Sequence, residues 1–184
     1  MPPVFTIGHS TRSSGELLEL LAEHGIEVLV DVRRYPGSRR HPQFSRDALA
    51  AALAQAHIEY MHEPDLGGRR AARPDSPHVA WRVDAFRGYA DHMETPEFQA
   101  ALERLIALAR ERRTVILCAE AVPWRCHRRL ISDALVAREV EVRHILGPGR
   151  ADPHEIDANA RVENEGRRLV YSGPAPAQGT LFGA

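Results

Sequence analysis

The chain has 184 residues with 24 basic and 25 acidic side chains, long enough for a real hydrophobic core in one domain and too evenly charged for a general polyelectrolyte partner. All of the basic residues are arginine, so no lysine amine exists for Schiff-base chemistry, and only the N-terminal amine could serve. Two cysteines do not make a disulfide framework, and no apolar run approaches a membrane span.

In chain order, residues 4–7 read as a short apolar strand followed by Gly8-His9-Ser10-Thr11. Ser13 and Glu16 have capping-box spacing and open a helix whose buried face is Leu17, Leu18, Leu20 and Leu21, ended by Gly25. Residues 26–32 are nearly all apolar, as a parallel strand covered on both faces should be, and they deliver Asp31 and Arg33. Ser45 caps a second, alanine-rich helix reaching about Ala56. A third strand spans 58–61, and a Pro-, Gly- and Arg-rich segment through Pro77 reads as a mobile loop. Helical spacing returns at Val83, Phe86, Ala90 and Met93, and Thr95-Pro96-Glu97 starts another helix with its stripe at Phe98, Leu102, Leu105, Ile106 and Ala109.

Residues 114–117 are a buried strand running into Cys118 and Glu120. Pro123 suits the first turn of a helix, which would place Cys126, His127, Arg128 and Arg129 in its opening turns. Residues 140–146 supply a fifth strand. The alternation predicts an α/β fold, a mainly parallel sheet of about five strands flanked by helices in three layers. Beyond Gly147-Pro148-Gly149 the chain is polar, with a helix expected over 154–165 and an edge strand at 169–171. One α/β domain is expected over 1–172 and a disordered tail over 173–184. The N-terminus lacks a signal-peptide layout, so a cytoplasmic location is expected.

The motifs TIGHST at 6–11, DVRRYPGSRR at 31–40, LGG at 66–68, and Cys118-Ala119-Glu120 with Pro123 and Cys126-His127-Arg128 together resemble a bacterial and archaeal domain-of-unknown-function family, numbered 488. They fall in the family's order across most of residues 4–146. The resemblance implies a compact α/β domain and assigns no activity.

In a parallel sheet, His9, Ser10 and Thr11, Asp31 and Arg33, Glu63 and Asp65, and Cys118 and Glu120 all fall at the C-terminal ends of four strands, the edge where such sheets bind ligands. Asp31 and Glu120 are candidate general bases, each with an arginine close in sequence that makes a plain ion pair the alternative. Cys118 or Cys126 is a candidate nucleophile, with His127 or His9 as its base. Cys118, Cys126 and His127 also have the softness that suits zinc, with His9 as a fourth donor. Zinc is not favoured, because seven residues separate the cysteines and adjacent Cys126 and His127 rarely both point at one ion; no cofactor is expected. A buried structural role for Cys118 is the third reading.

Arginines gather in three groups, each after a strand end: Arg33, Arg34, Arg39 and Arg40; Arg69, Arg70 and Arg73; Arg125, Arg128 and Arg129. Such a face on a neutral protein points to a local anionic ligand, held by guanidinium forks on phosphate. Ser10, Arg33, Arg39, Arg69, Arg125 and Arg128 are the candidate substrate contacts, and Tyr35, Trp81 and Trp124 are candidates for base stacking. In the tail, Gln178, Leu181 and Phe182 are spaced as in the short peptides that bind bacterial sliding clamps, although Gly179 stands where leucine is common. The combined expectation is a DNA-associated repair or maintenance enzyme, recruited to the clamp, that hydrolyses a phosphate-bearing substrate or cleaves it as a glycosylase does. A cysteine-dependent small-molecule enzyme and a non-catalytic adaptor are the alternatives.

Overall fold

The computed structural model describes residues 1–37 and 39–173. It is an α/β fold built on a six-stranded sheet. In chain order its elements are β1 (Val4–Gly8), α1 (Ser14–Glu23), β2 (Val28–Asp31), α2 (Arg46–Gln55), β3 (Glu59–His62), α3 (Asp84–Met93), α4 (Pro96–Glu111), β4 (Thr114–Cys118), α5 (Arg128–Val136), β5 (Val142–Gly147) and β6 (Arg150–Pro153). The strand order is β3-β2-β4-β1-β5-β6, parallel except for the β5–β6 pair.

Successive residues of a strand point to opposite faces, and here both faces are buried. Phe5, Ile7, Leu29, Val115 and Leu117 join one core with Leu17 and Leu21 of α1 and Leu49 and Leu53 of α2. Val4, Val28, Val30, Ile116 and Cys118 join the other, with Tyr89 of α3, Leu102 of α4 and Leu130 of α5. This parity puts Cys118 on the α5 side of the sheet.

The local signals hold at the starts of α1 and α4. The Ser13 hydroxyl accepts from the Glu16 N–H at 3.1 Å while the Glu16 carboxylate accepts from the Ser13 N–H at 2.6 Å. Thr95 caps α4 through the Phe98 N–H. Ser45 stands at the N-cap of α2 with no side-chain bond to it.

Four expectations are corrected. The helix expected from Pro123 is two pieces, a 3-10 turn over Pro123–Arg125 and then α5. Between them Cys126 is extended, at φ −136° and ψ 149°. The polar stretch 154–165 forms no α-helix, because the Asp157 carboxylate takes the Asn159 N–H at 2.8 Å, the local side-chain bond that competes with helix. The strand at 169–171 belongs instead to β8 (Arg168–Tyr171), which pairs with β7 (Ala160–Glu163) in a separate two-stranded sheet. The Pro- and Arg-rich segment is anchored at Arg73, whose N–H donates to Asp91 at 2.8 Å, and just beyond its end the Ala80 N–H donates to the Tyr171 carbonyl at 2.9 Å.

Candidate functional site

The three central strands β2, β4 and β1 end level with one another, with Gly8 opposite Cys118 and Asp31 opposite Leu117. The ladder continues past them, since the His9 N–H donates to the Cys118 carbonyl and the Ser10 N–H to Ala119, both at 2.9 Å. Above these ends opens a cleft of about 760 Å³, inside the ~300–1,000 Å³ range of small-ligand sites. Its lining brings together His9, Ser10, Arg33, Arg69, Cys118, Glu120, Arg125, Cys126 and His127 of the candidates read from the sequence.

The floor is built by backbone approaches that only glycine permits. A Cβ on Gly8 would lie 1.7 Å from the Glu120 carbonyl oxygen, and one on Gly68 would lie 2.8 Å from His127 Nδ1. Ser10 and Arg69, both in the lining, have left-handed backbone at φ 48° and 59°. Such a conformation costs a non-glycine residue on the order of 1–3 kcal/mol.

Cys118 and Cys126 are buried, free thiols, and the Nδ1 of His127 lies 3.9 and 3.7 Å from their sulfurs. The hydrogen bond between the two thiols holds Cys126 well below the usual thiol range and Cys118 well above it. The Nε2–H of His127 donates to the Val32 carbonyl at 3.2 Å, because a carbonyl can only accept, and Nδ1 is turned toward the two sulfurs. The extended backbone at Cys126 is what lets both neighbours face the same point.

Asp31 and Arg33 form a buried pair at 2.6 Å, and the Tyr60 hydroxyl donates to the same carboxylate at 2.8 Å. Burial, with the Asp31 charge next, pushes the Tyr60 phenol up. Asp31 is fully buried and does not line the cleft. His9 stacks on Phe44 with ring centroids 4.4 Å apart. Its Nδ1–H donates to the Ser10 carbonyl, and its Nε2 faces the Arg33 guanidinium at 3.4 Å. Burial lowers the His9 pKa to about 4, so the ring is neutral at neutral pH.

Arg128 lies beneath the floor rather than in the cleft. Its guanidinium bonds the Glu120 carbonyl, the Cys126 sulfur at 3.5 Å and the Thr6 hydroxyl at 3.5 Å. Arg39 is exposed and outside the lining, where Arg40 and Arg34 stand instead. Among the described residues, Arg34, Arg40, Arg69 and Arg125 form no ion pair. Tyr35 stands exposed at the rim, whereas Trp81 packs on Tyr171 and beneath Arg129. Gln178, Leu181 and Phe182 lie outside the described residues.

Sequence reasoning missed the wall that α3 contributes, including Phe86 and Tyr89; the Tyr89 ring is 5.0 Å from that of His127. Their apolar spacing reads as core and carries no sign of a cleft. Gly68 was detectable, because paired glycines outside a turn of regular hairpin length mark a close backbone approach.

The family described as "Domain of unknown function DUF488" matches residues 13–135. Neither a curated protein nor a solved structure matches the chain.

Proposed function

The chain belongs to the DUF488 family of domains of unknown function, and within it we propose an enzyme that acts on a phosphate-bearing, nucleic-acid substrate by hydrolysis or glycosylase-like cleavage. One observation carries the reading: arginines from three separate loops, without carboxylate partners among the described residues, rim a cleft of nucleotide size. Arg34, Arg40, Arg69 and Arg125 bind the phosphates through charge-assisted bonds, and Tyr35 stacks on a base at the rim. A cleft of this volume suits a single nucleotide, so the substrate of this reading is a strand end or an unstacked residue.

Glu120 is the carboxylate that fits a general base, because it is exposed in the cleft lining. Asp31 acts at one remove by fixing Arg33, whose guanidinium holds His9 and the Phe44 carbonyl. The protein works in the cytoplasm on DNA, and the tail residues Gln178, Leu181 and Phe182 tether it to the sliding clamp. Among the described residues, no helix is long and apolar enough to cross a membrane.

The test is a panel of single-stranded and lesion-bearing oligonucleotides, incubated with the wild-type chain and with Glu120→Gln and read by mass for product. A product lost in Glu120→Gln supports the reading. No product from any member, together with no salt-dependent binding, refutes it. The pairing of Cys118 and Cys126 beside His127 favours a second reading, a thiol enzyme for a small anionic substrate. Alkylation that abolishes turnover in a chain without nucleic-acid affinity would select that one.

A further inference from the structure

Cys118 ends β4 and Cys126 and His127 join the 3-10 turn to α5, so two separate elements deliver three donors to one point. The two sulfurs and one nitrogen all lie within 4.8 Å of one another. We infer that Cys118, Cys126 and His127 form a three-ligand site for a thiophilic divalent cation of the zinc class, its fourth position open to the cleft.

The donor spacing fits an ion. Zinc bonds of about 2.3 Å to sulfur and 2.0–2.1 Å to nitrogen, set at tetrahedral angles, separate the two donors by about 3.6 Å. The sulfurs of Cys126 and Cys118 stand 3.7 and 3.9 Å from Nδ1 of His127, close to that edge on both sides. Two sulfurs thus stand at nearly equal distance from one Nδ1, the convergence that a shared ion requires.

The surroundings are those of a ligand shell. The Val32 carbonyl accepts from Nε2–H at 3.2 Å, which fixes the tautomer and aims Nδ1 inward, as the outer partners of ligating histidines do. Arg128 donates to the Cys126 sulfur at 3.5 Å and offsets its negative charge. Gly68 holds the imidazole face where any Cβ would sit 2.8 Å from Nδ1. His9 is not a fourth ligand, because its two nitrogens face the Ser10 carbonyl and the Arg33 guanidinium. Three protein donors with an open fourth place are the arrangement of catalytic rather than structural zinc. The open place faces the same cleft as Glu120 and the rim arginines, where a water or a phosphate oxygen would be polarised. That service to hydrolysis rests on the function proposed above; the site itself does not.

The reduced full chain, stripped with a chelator, is titrated with Zn²⁺ and separately with Co²⁺. Expected are one ion per chain, protection of both thiols from alkylation in step with the ion bound, and thiolate-to-cobalt charge-transfer absorption. Cys118→Ser and Cys126→Ser should lose that absorption. Gly68→Ala, which keeps all three donors, should weaken binding by about tenfold or more. Circular dichroism identifies a variant that has lost its fold, and the wild-type thiol protection still reads the site in that case. The inference is overturned if the folded, reduced chain retains no stoichiometric ion, or if the ion leaves both thiols freely alkylated. An ion held by these side chains without cleavage of any nucleotide substrate would sink the proposed function and leave the site. Cleavage by a folded, reduced chain that retains no ion when titrated would leave the function and sink the site.

Discussion

At the end of β2, the Asp31 carboxylate grips the Arg33 guanidinium through contacts of 2.9 Å to Nε and 2.6 Å to Nη2, with both side chains buried. The Nη1 of Arg33 also reaches the Phe44 carbonyl at 2.8 Å and Nε2 of His9 at 3.4 Å. Four of the five guanidinium N–H groups are thus engaged inside the protein. The pair is scaffolding for the cleft floor, so Asp31→Ala should leave a buried, uncompensated arginine. A loss of about 3–5 kcal/mol in urea unfolding is expected. A variant as stable as the wild type would show that the pair does no structural service.

Arg125 is exposed in the cleft lining and has no ion-pair partner among the described residues. Arg125→Ala should weaken binding of single-stranded DNA without altering the melting temperature. The slope of log K against log salt should fall by about 0.7 for each phosphate that the variant no longer neutralises. Arg128→Ala should behave in the opposite way, since that side chain is buried against the Glu120 carbonyl and the Cys126 sulfur. Its loss should appear in the melt.

Glu120→Gln should lower turnover by about 10²–10⁴-fold if the carboxylate takes the proton of the attacking water. Because the side chain is exposed, the unfolding midpoint should hardly move. Unchanged turnover would remove Glu120 from the reaction.

Gly8 tests the floor itself. A Cβ there meets the Glu120 carbonyl oxygen at 1.7 Å, and backbone cannot rotate aside as a side chain can. Gly8→Ala should cost about 3 kcal/mol or more in chemical denaturation. A wild-type denaturation curve would mean that the β1 and β4 ends do not meet as described.

Acid should destabilise the fold through a second buried cluster. His144 is held between the Thr6 hydroxyl at 2.8 Å and His154 at 2.9 Å, and burial first, then the neighbouring His154, lowers its pKa to about 3. Between pH 6.5 and about 3 the unfolded chain binds a proton that the folded chain refuses. Stability is therefore complete above pH 6.5 and lost as pH falls, by at most about 1.4 kcal/mol per pH unit for this one group. His9, lowered to about 4, adds to the slope in the same direction. Urea unfolding measured from pH 7 to 4 should show a slope reduced by up to one proton in His144→Gln.

Residues interacting within a few positions were readable directly from the chain. The Ser13–Glu16 capping box and the Thr95 cap are bonds between neighbours three residues apart, and their patterns are local. Buried strands at both-faced apolar runs, and the gathering of His9, Arg33, Cys118 and Glu120 at one sheet edge, follow from chain direction in a parallel sheet. Tertiary structure alone decided what those groups touch. Whether Asp31 is a base or a clamp depends on Arg33 being driven inward toward Phe44, and spacing does not report that. Cys126 and His127 face Cys118 because the chain is extended at one residue between a 3-10 turn and α5, where periodicity predicts continuous helix. His127 is oriented by Val32, 95 positions away. Contacts of that range are set by packing across the sheet, so residue types mark the chemistry available and only the fold selects which atoms meet.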